Sequence, residues 1–457
     1  MNLKLLLPAI MISIAVVIIP HYLIVMILLS AFIFIKEIIS KELLLPLICF
    51  VMITASGETF EFIRNIINLS CTIVLIYLFV NKYGLRLSDY PRVPNKVLSF
   101  VIWFLLAMLI SSSVSGFQLQ SIVAIVRTIT FFVIIYLFYS LINNQNQLYR
   151  LLLAFMVSTF VISLTIYYEV IQEGFNFFLI SGILARYSGA YQGYNFIGYL
   201  MMVSTLIAFF FMLNRNGSKL LVGFYVLNNL IILMILNSRL AFFGTFIGIV
   251  IIIFMLKRKY FYALILSSIL VLLLFLVVPV LNDYLQAYIR IESITERDDI
   301  WSQGMAMTVD HLFLGVGPEL YPTKVYSYYS AEYTSKWEGK TAEEIGRESP
   351  HNYLLLMFSE NGLLGFCSIL FLYYLYFYHG IKAMKFYKVY NKDIYIFSLF
   401  ITLIGILIMI RSFFEVDGIL GYGFLSRDIT FWLLFIFLIK LNINQKSPKI
   451  FSIPNYT

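Results

Sequence analysis

The chain has 457 residues, 61% hydrophobic and 12% charged, with a mean hydropathy of +0.90 and a formal charge of +8. Soluble domains carry about 25% charged residues, so this composition excludes a soluble enzyme and predicts an all-α polytopic membrane protein. No polar segment carries a basic stripe with interleaved aromatics, so the surplus of bases reads as membrane sidedness and no nucleic-acid partner is expected.

In chain order, the apolar run Leu3–Ile35 would be about 50 Å long as one helix, against a hydrocarbon core of roughly 30 Å. Pro20-His21 therefore reads as a tight hairpin between two short spans, the first retained because no small-x-small cleavage site precedes it. Further spans centre near Ile48, Thr72, Phe104, Phe131, Val161, Val203, Val226, Gly248, Leu270, Cys367, Leu403 and Leu434. The expectation is about fourteen spans, twelve if the first hairpin is lost, with one large outer loop. The boundaries are 1–281 for spans 1–11, 282–351 for the loop, 352–441 for spans 12–14 and 442–457 for a cytoplasmic tail. Cys49, Cys71 and Cys367 all fall within spans, which reads as core packing, not as a disulfide framework or metal site.

Alternating the spans collects twenty of the 32 basic residues on one side, which the positive-inside rule makes cytoplasmic. That side holds fifteen Lys and five Arg, whereas the outer boundary holds three Lys and nine Arg: 64, 127, 186, 239, 290, 297, 347, 411 and 427. Lysine suffices for topology; the planar fork of arginine also matches phosphate oxygens in pairs. Some of these arginines are accounted for by snorkelling at helix ends.

The outer loop is long for a mere connection and rich in Trp and Tyr (Trp301, Trp337, Tyr284, Tyr288, Tyr321, Tyr326, Tyr328, Tyr329 and Tyr333). Such rings suit a glycan ligand, while those nearest the membrane fit an aromatic belt. The loop holds six bases and twelve acids, so an anion would have to be bound at discrete arginines near the membrane. Arg186, Arg239, Arg290 and Arg297 are the candidates. Gly315-Val316-Gly317-Pro318 lacks the Lys-Ser/Thr of a phosphate loop and reads as a turn. The four histidines show no metal-binding spacing, and neither a metal nor another cofactor is expected.

Where the outer loop returns to the membrane stands His351-Asn352, then nine residues, then Gly362-Leu363-Leu364-Gly365. If Asn352 begins a helix, His351 shares a face with Leu355, Phe358, Gly362 and Gly365, the glycines admitting a neighbouring helix, and Glu360 points away from it. A lone histidine at such a boundary is more often structural than catalytic. The surrounding arginines favour catalysis.

At these residues the chain resembles the bacterial O-antigen ligase and polysaccharide polymerase superfamily, whose signature is His, then Asn, Ser or Gln, nine residues and G-x-x-G. Asn237-Ser238-Arg239 is similar to its Ser-Arg at an outer helix end, Arg297-Asp298-Asp299-Ile300-Trp301 to its R-x-x-I-W, and His311 to Pro318 to its loop ending G-V-G-P. Arg186 to Asn195 resembles a looser R-x-x-G-to-Asn element. Leu312 departs from the usual proline, and Glu319-Leu320 stands where a glycine is common. The resemblance spans Arg186 to Phe366.

It implies a membrane glycosyltransferase C-type fold in the bacterial inner membrane. There a metal-independent, inverting transfer would move a glycan from undecaprenyl pyrophosphate to a sugar hydroxyl at the outer face. By motif, His351, Arg239 and Arg297 would be catalytic, with Arg186, Arg290 and Asn352 binding substrate. Partners would be the undecaprenyl-pyrophosphate-linked oligosaccharide, a glycan acceptor, the lipid bilayer and a chain-length regulator. A surface polysaccharide polymerase for O-antigen or capsule is favoured, since no stretch suggests a dedicated acceptor-docking domain. The alternatives are an O-antigen ligase acting on the lipid A core of lipopolysaccharide or another acceptor, and a lipid-glycan transporter. The transporter is disfavoured because the charges sit at outer helix ends and no internal repeat is detectable.

Overall fold

The computed structural model describes residues 43–54, 61–175, 187–189, 193–213, 219–256, 258–278, 295–329 and 349–443. Among them are fourteen α-helices and no strand: α1 Leu44–Thr54, α2 Glu61–Tyr83, α3 Asn95–Val114, α4 Leu119–Leu141, α5 Gln145–Gln172, α6 Tyr194–Leu213, α7 Lys219–Ile235, α8 Arg239–Leu256, α9 Arg258–Val277, α10 Thr295–Asp310, α11 Tyr321–Lys324, α12 Tyr353–Tyr390, α13 Lys392–Arg411 and α14 Leu425–Ile443. Helices contain all twelve span centres from Ile48 onward. The hairpin expected over Leu3–Ile35 lies outside the described residues. Among the described residues eight helices are both long and apolar enough to cross a bilayer, and the protein is a multi-pass membrane protein.

The described residues form two compact units, one of 43–75 and 141–278, the other of 76–140 and 295–443. In the first, α1 packs on α5, and α6 packs on α5, α7 and α8. Helix α6 is almost wholly buried, from Phe196 to Phe211. Its core carries hydroxyls: Thr159 and Ser204 are 2.7 Å apart, and Tyr225 joins both and donates to the Met156 carbonyl. Between helices that lack a water-driven hydrophobic effect, such bonds fix register.

In the second unit α12 is central, packed against α3, α10, α13 and α14. Trp432 of α14 meets Phe100, Phe131 and Phe132 with ring centroids 5.9, 6.0 and 5.4 Å away. Helices α3 and α12 run antiparallel, because Trp103 meets Phe371 at 5.9 Å and Ser111 Oγ donates to the Glu360 carbonyl at 2.5 Å. Asn391 ends α12 and caps α13, its carboxamide oxygen accepting from the amides of Asp393 and Ile394, both at 3.1 Å.

This packing sorts the bases of the second unit by end. Lysines cluster where α12 finishes: Lys82 donates to the Ser140 carbonyl at 2.9 Å, Lys96 lies 4.4 Å over the Tyr378 ring and Lys440 lies 4.2 Å over the Tyr139 ring. Arg127, Arg297, Arg411 and Arg427 belong to the other end, where α12 starts.

Candidate functional site

The His351 end is built on a broken helix. Asn352 is the N-cap of α12, its Oδ1 accepting from the Leu355 amide at 3.0 Å, so His351 precedes the helix. His351 takes φ +46°, a left-handed conformation that costs a non-glycine residue free energy and clusters at functional sites. The helical phase expected for His351 therefore does not apply, since the capping Asn352 turns the chain before the first helical residue.

The glycines also act differently from expectation. Gly362 has φ +62° and ψ −164° inside α12, and the backbone of the His311–Pro318 loop crosses there. Leu363 N–H donates to the Leu312 carbonyl at 2.9 Å, and a Cβ on Gly362 would lie 2.3 Å from the Phe313 oxygen. What approaches is a loop, not a neighbouring helix. The amides of Val316 and Gly317 donate to the carbonyls of Ser359 and Glu360 at 2.9 and 3.0 Å, so this turn is a structural fastening and not a phosphate cradle.

Glu360 is fully buried beside that break and serves as a staple. Its Oε1 accepts from the Tyr321 amide at 2.8 Å and its Oε2 from the Tyr422 hydroxyl, while Asn361 Nδ2 donates to the same Tyr422 oxygen at 2.7 Å. Burial and the neighbouring Glu360 carboxylate push the Tyr422 phenol well above its ordinary range, so it stays a donor. Glu360 does not reach His351, as the sequence suggested. Tyr321, one of the loop rings counted as suited to a glycan, is 1% exposed and packs with Met307, Val316 and Val325.

The residue that does meet His351 is Glu415, in the segment between α13 and α14. Glu415 Oε2 lies 3.4 Å from His351 Nδ1, and Oε1 lies 3.3 Å from Arg297 Nη2. The Glu415 side chain is 7% exposed, against 37% for His351 and 31% for Arg297. Burial alone would raise its pKa, but the hydrogen bond to His351 and the charges of Arg411, His351 and Arg297 outweigh burial and hold it below the usual carboxylate range. A buried carboxylate thus joins a half-exposed imidazole to a half-exposed guanidinium.

Segment 412–424 holds Glu415 firmly. The Tyr353 amide donates to the Ser412 carbonyl at 2.8 Å, the Tyr353 hydroxyl to Leu420 O at 3.0 Å, and Trp432 Nε1 to Ile419 O at 2.8 Å. Arg411 Nη1 donates to Asp417 O at 2.6 Å, Arg427 pairs with the Asp417 carboxylate at 3.2 Å, and Arg127 Nε donates to Tyr422 O at 2.5 Å. Trp301 of the R-x-x-I-W run donates from Nε1 to the Pro350 carbonyl at 2.8 Å, fixing the residue before His351.

The sequence-derived candidates thus fall in different places. His351 and Arg297 are brought together through Glu415, while Asn352 fixes where α12 starts. Arg239 opens α8 in the first unit, half-buried, after a left-handed Asn237 with φ +50°. Asn237 is 4% exposed, and neither polar atom of its carboxamide has a hydrogen-bond partner among the described residues. Gly198 lets α6 approach closely there, since a Cβ on it would sit 2.4 Å from Ser238 Oγ. Arg186 and Arg290 lie outside the described residues. Glu415 went unnoticed because nothing local marks it; the available signal was an acid in an outer connection directly after the aromatic pair Phe413-Phe414 and four residues after Arg411. Among the described residues no cluster of three or more His, Cys, Asp or Glu could hold a metal ion.

Residues 224–370 match the family model of the O-antigen ligase domain. The match covers α8, Arg297, the His311–Pro318 loop, His351 and the Gly362 break. No curated protein matches the chain.

Proposed function

We propose that this member of the O-antigen ligase and polymerase superfamily transfers a glycan from undecaprenyl pyrophosphate to a sugar hydroxyl at the outer face of the bacterial inner membrane, with His351 as the base. The observation that carries this reading is the Glu415 bridge between His351 and Arg297. With Nδ1–H directed at Glu415, Nε2 is left as the acceptor for the proton of the attacking hydroxyl, and the buried carboxylate stabilises the imidazolium that forms. Apo contacts of 3.4 Å are expected to tighten when substrate excludes water.

The acceptor oxygen forms its bond to the anomeric carbon as the bond from that carbon to the pyrophosphate oxygen breaks, which inverts the centre. The electron pair leaves with undecaprenyl pyrophosphate, and the proton goes to His351. Arg297 gives one nitrogen to Glu415 and keeps its other N–H groups for the growing phosphate charge. Arg239, at the start of α8, keeps its motif-based assignment to the pyrophosphate. The chemistry uses no metal, and the helical arrangement fits a membrane glycosyltransferase C-type architecture.

A polymerase, joining one lipid-linked repeat to another, is the preferred form of the reaction. The test is reconstitution with a defined undecaprenyl-pyrophosphate oligosaccharide, alone and then with candidate acceptors. Elongation of the donor alone supports a polymerase; transfer only to an added acceptor supports a ligase. Movement of the lipid-linked sugar across the bilayer without a new glycosidic bond overturns both. His351→Ala and Arg239→Lys should each abolish transfer in protein that still inserts and folds.

A further inference from the structure

A cleft separate from the His351–Glu415–Arg297 cluster opens at the same end of the second unit. It is a wide-open depression of about 590 Å³ lined by Gln118, Leu119, Gln120, Thr323 and Lys324. One wall is the turn from α3 to α4 and the other is α11. The floor is fastened, since Ser121 Oγ donates to the Pro318 carbonyl at 2.9 Å and Glu360 holds the Tyr321 amide at 2.8 Å.

The cleft joins the site through side chains. Arg127, two turns along α4 from Gln120, pairs with Glu319 just before α11 and donates to Tyr422 O in the segment that carries Glu415.

The lining suits one class of ligand. The side chains of Gln118, Gln120 and Lys324 are exposed and make no hydrogen bond among the described residues. Each carboxamide donates and accepts at once, which matches neighbouring hydroxyls of a sugar ring, and the Lys324 ammonium offers three donors. Glu319, the acid nearest Lys324 in sequence, is paired with Arg127, so Lys324 leaves the lining cationic.

We propose that this cleft binds the acceptor glycan, as an oligosaccharide subsite in which Gln118 and Gln120 take ring hydroxyls and Lys324 takes a sugar carboxylate. Its role as an acceptor site rests on the glycosyltransferase reading above. Oligosaccharide binding does not.

The test is saturation-transfer NMR of the full chain in nanodiscs, titrated with galacturonic acid tetrasaccharide and with its neutral methyl ester. The wild type should bind both, the acid more tightly. Gln118→Ala with Gln120→Ala should weaken both about fivefold or more, and Lys324→Ala should weaken the acid alone, since one lost hydrogen bond is worth about that factor. These positions are exposed, so the variants keep the fold. His351→Ala should bind the oligosaccharides as the wild type does. No binding by the wild type, or equal affinity in all variants, overturns the cleft. Binding with the expected variant pattern, in protein that forms no glycosidic bond from the reconstituted donor, retains the cleft and overturns the glycosyltransferase reading instead.

Discussion

The two ends of the second unit handle positive charge in different ways. Where α12 finishes, Lys96 and Lys440 rest on tyrosine rings, Lys82 meets a carbonyl and the chain turns on a simple asparagine cap. Where α12 starts, guanidinium groups are tied to carboxylates and carbonyls, and Phe117, Glu319, His351 and Tyr422 all adopt positive φ. Sidedness needs only a charge that reaches water, which an ammonium on a flexible stem provides. A site needs charges in fixed directions, and strained backbone persists only where many contacts enforce it.

That contrast predicts unequal consequences of substitution. The largest belongs to Glu415→Ala, which should slow glycan transfer by about 10²- to 10⁴-fold, the usual worth of a positioned acid–base group, while the detergent-solubilised protein still melts cooperatively. A rate within about twofold of the wild type would remove Glu415 from the mechanism.

Gly362→Ala should come next, through folding instead of chemistry. The added Cβ meets the Phe313 oxygen and the residue must hold φ +62°, so a loss of about 1–3 kcal/mol in stability is expected, read as a lower melting temperature. Tyr422→Phe should cost about 1–3 kcal/mol by leaving the buried Glu360 carboxylate one donor short, and it should also reduce transfer because Tyr422 belongs to the segment that carries Glu415.

A smaller effect concerns pH. The folded pKa of Glu415 is depressed, so its contribution to stability is complete above the ordinary carboxylate range and is lost as pH falls through the lower folded value. The stability difference between wild type and Glu415→Gln should therefore stay level from pH 7 to about 5 and shrink in stronger acid. Smallest of all, Lys96→Ala at the opposite end should leave the transfer rate unchanged; a loss comparable to that of Glu415→Ala would erase the distinction between the ends.

Much of this molecule was legible in one dimension. Apolar runs marked the helices because a bilayer demands long stretches without charge, and the split of Lys from Arg along the chain reappears as the two ends of the second unit. His351 and Arg297 were visible as motif residues. Their connection was not. Asn352 capping α12 places His351 outside the helical phase on which its expected neighbours depended, and Gly362 breaks the helix to admit a loop.

Hydropathy by itself therefore determined that this chain crosses a membrane many times, and its motifs carried the resemblance to the O-antigen ligase family that the match over residues 224–370 repeats. Only the tertiary structure decided that Glu415, 64 residues beyond His351, is the carboxylate that meets it, and that Glu360 is a staple and not its partner. The physical reason is that spans are local, fixed by the composition of some twenty residues, whereas a hydrogen bond between chain segments depends on how helices pack.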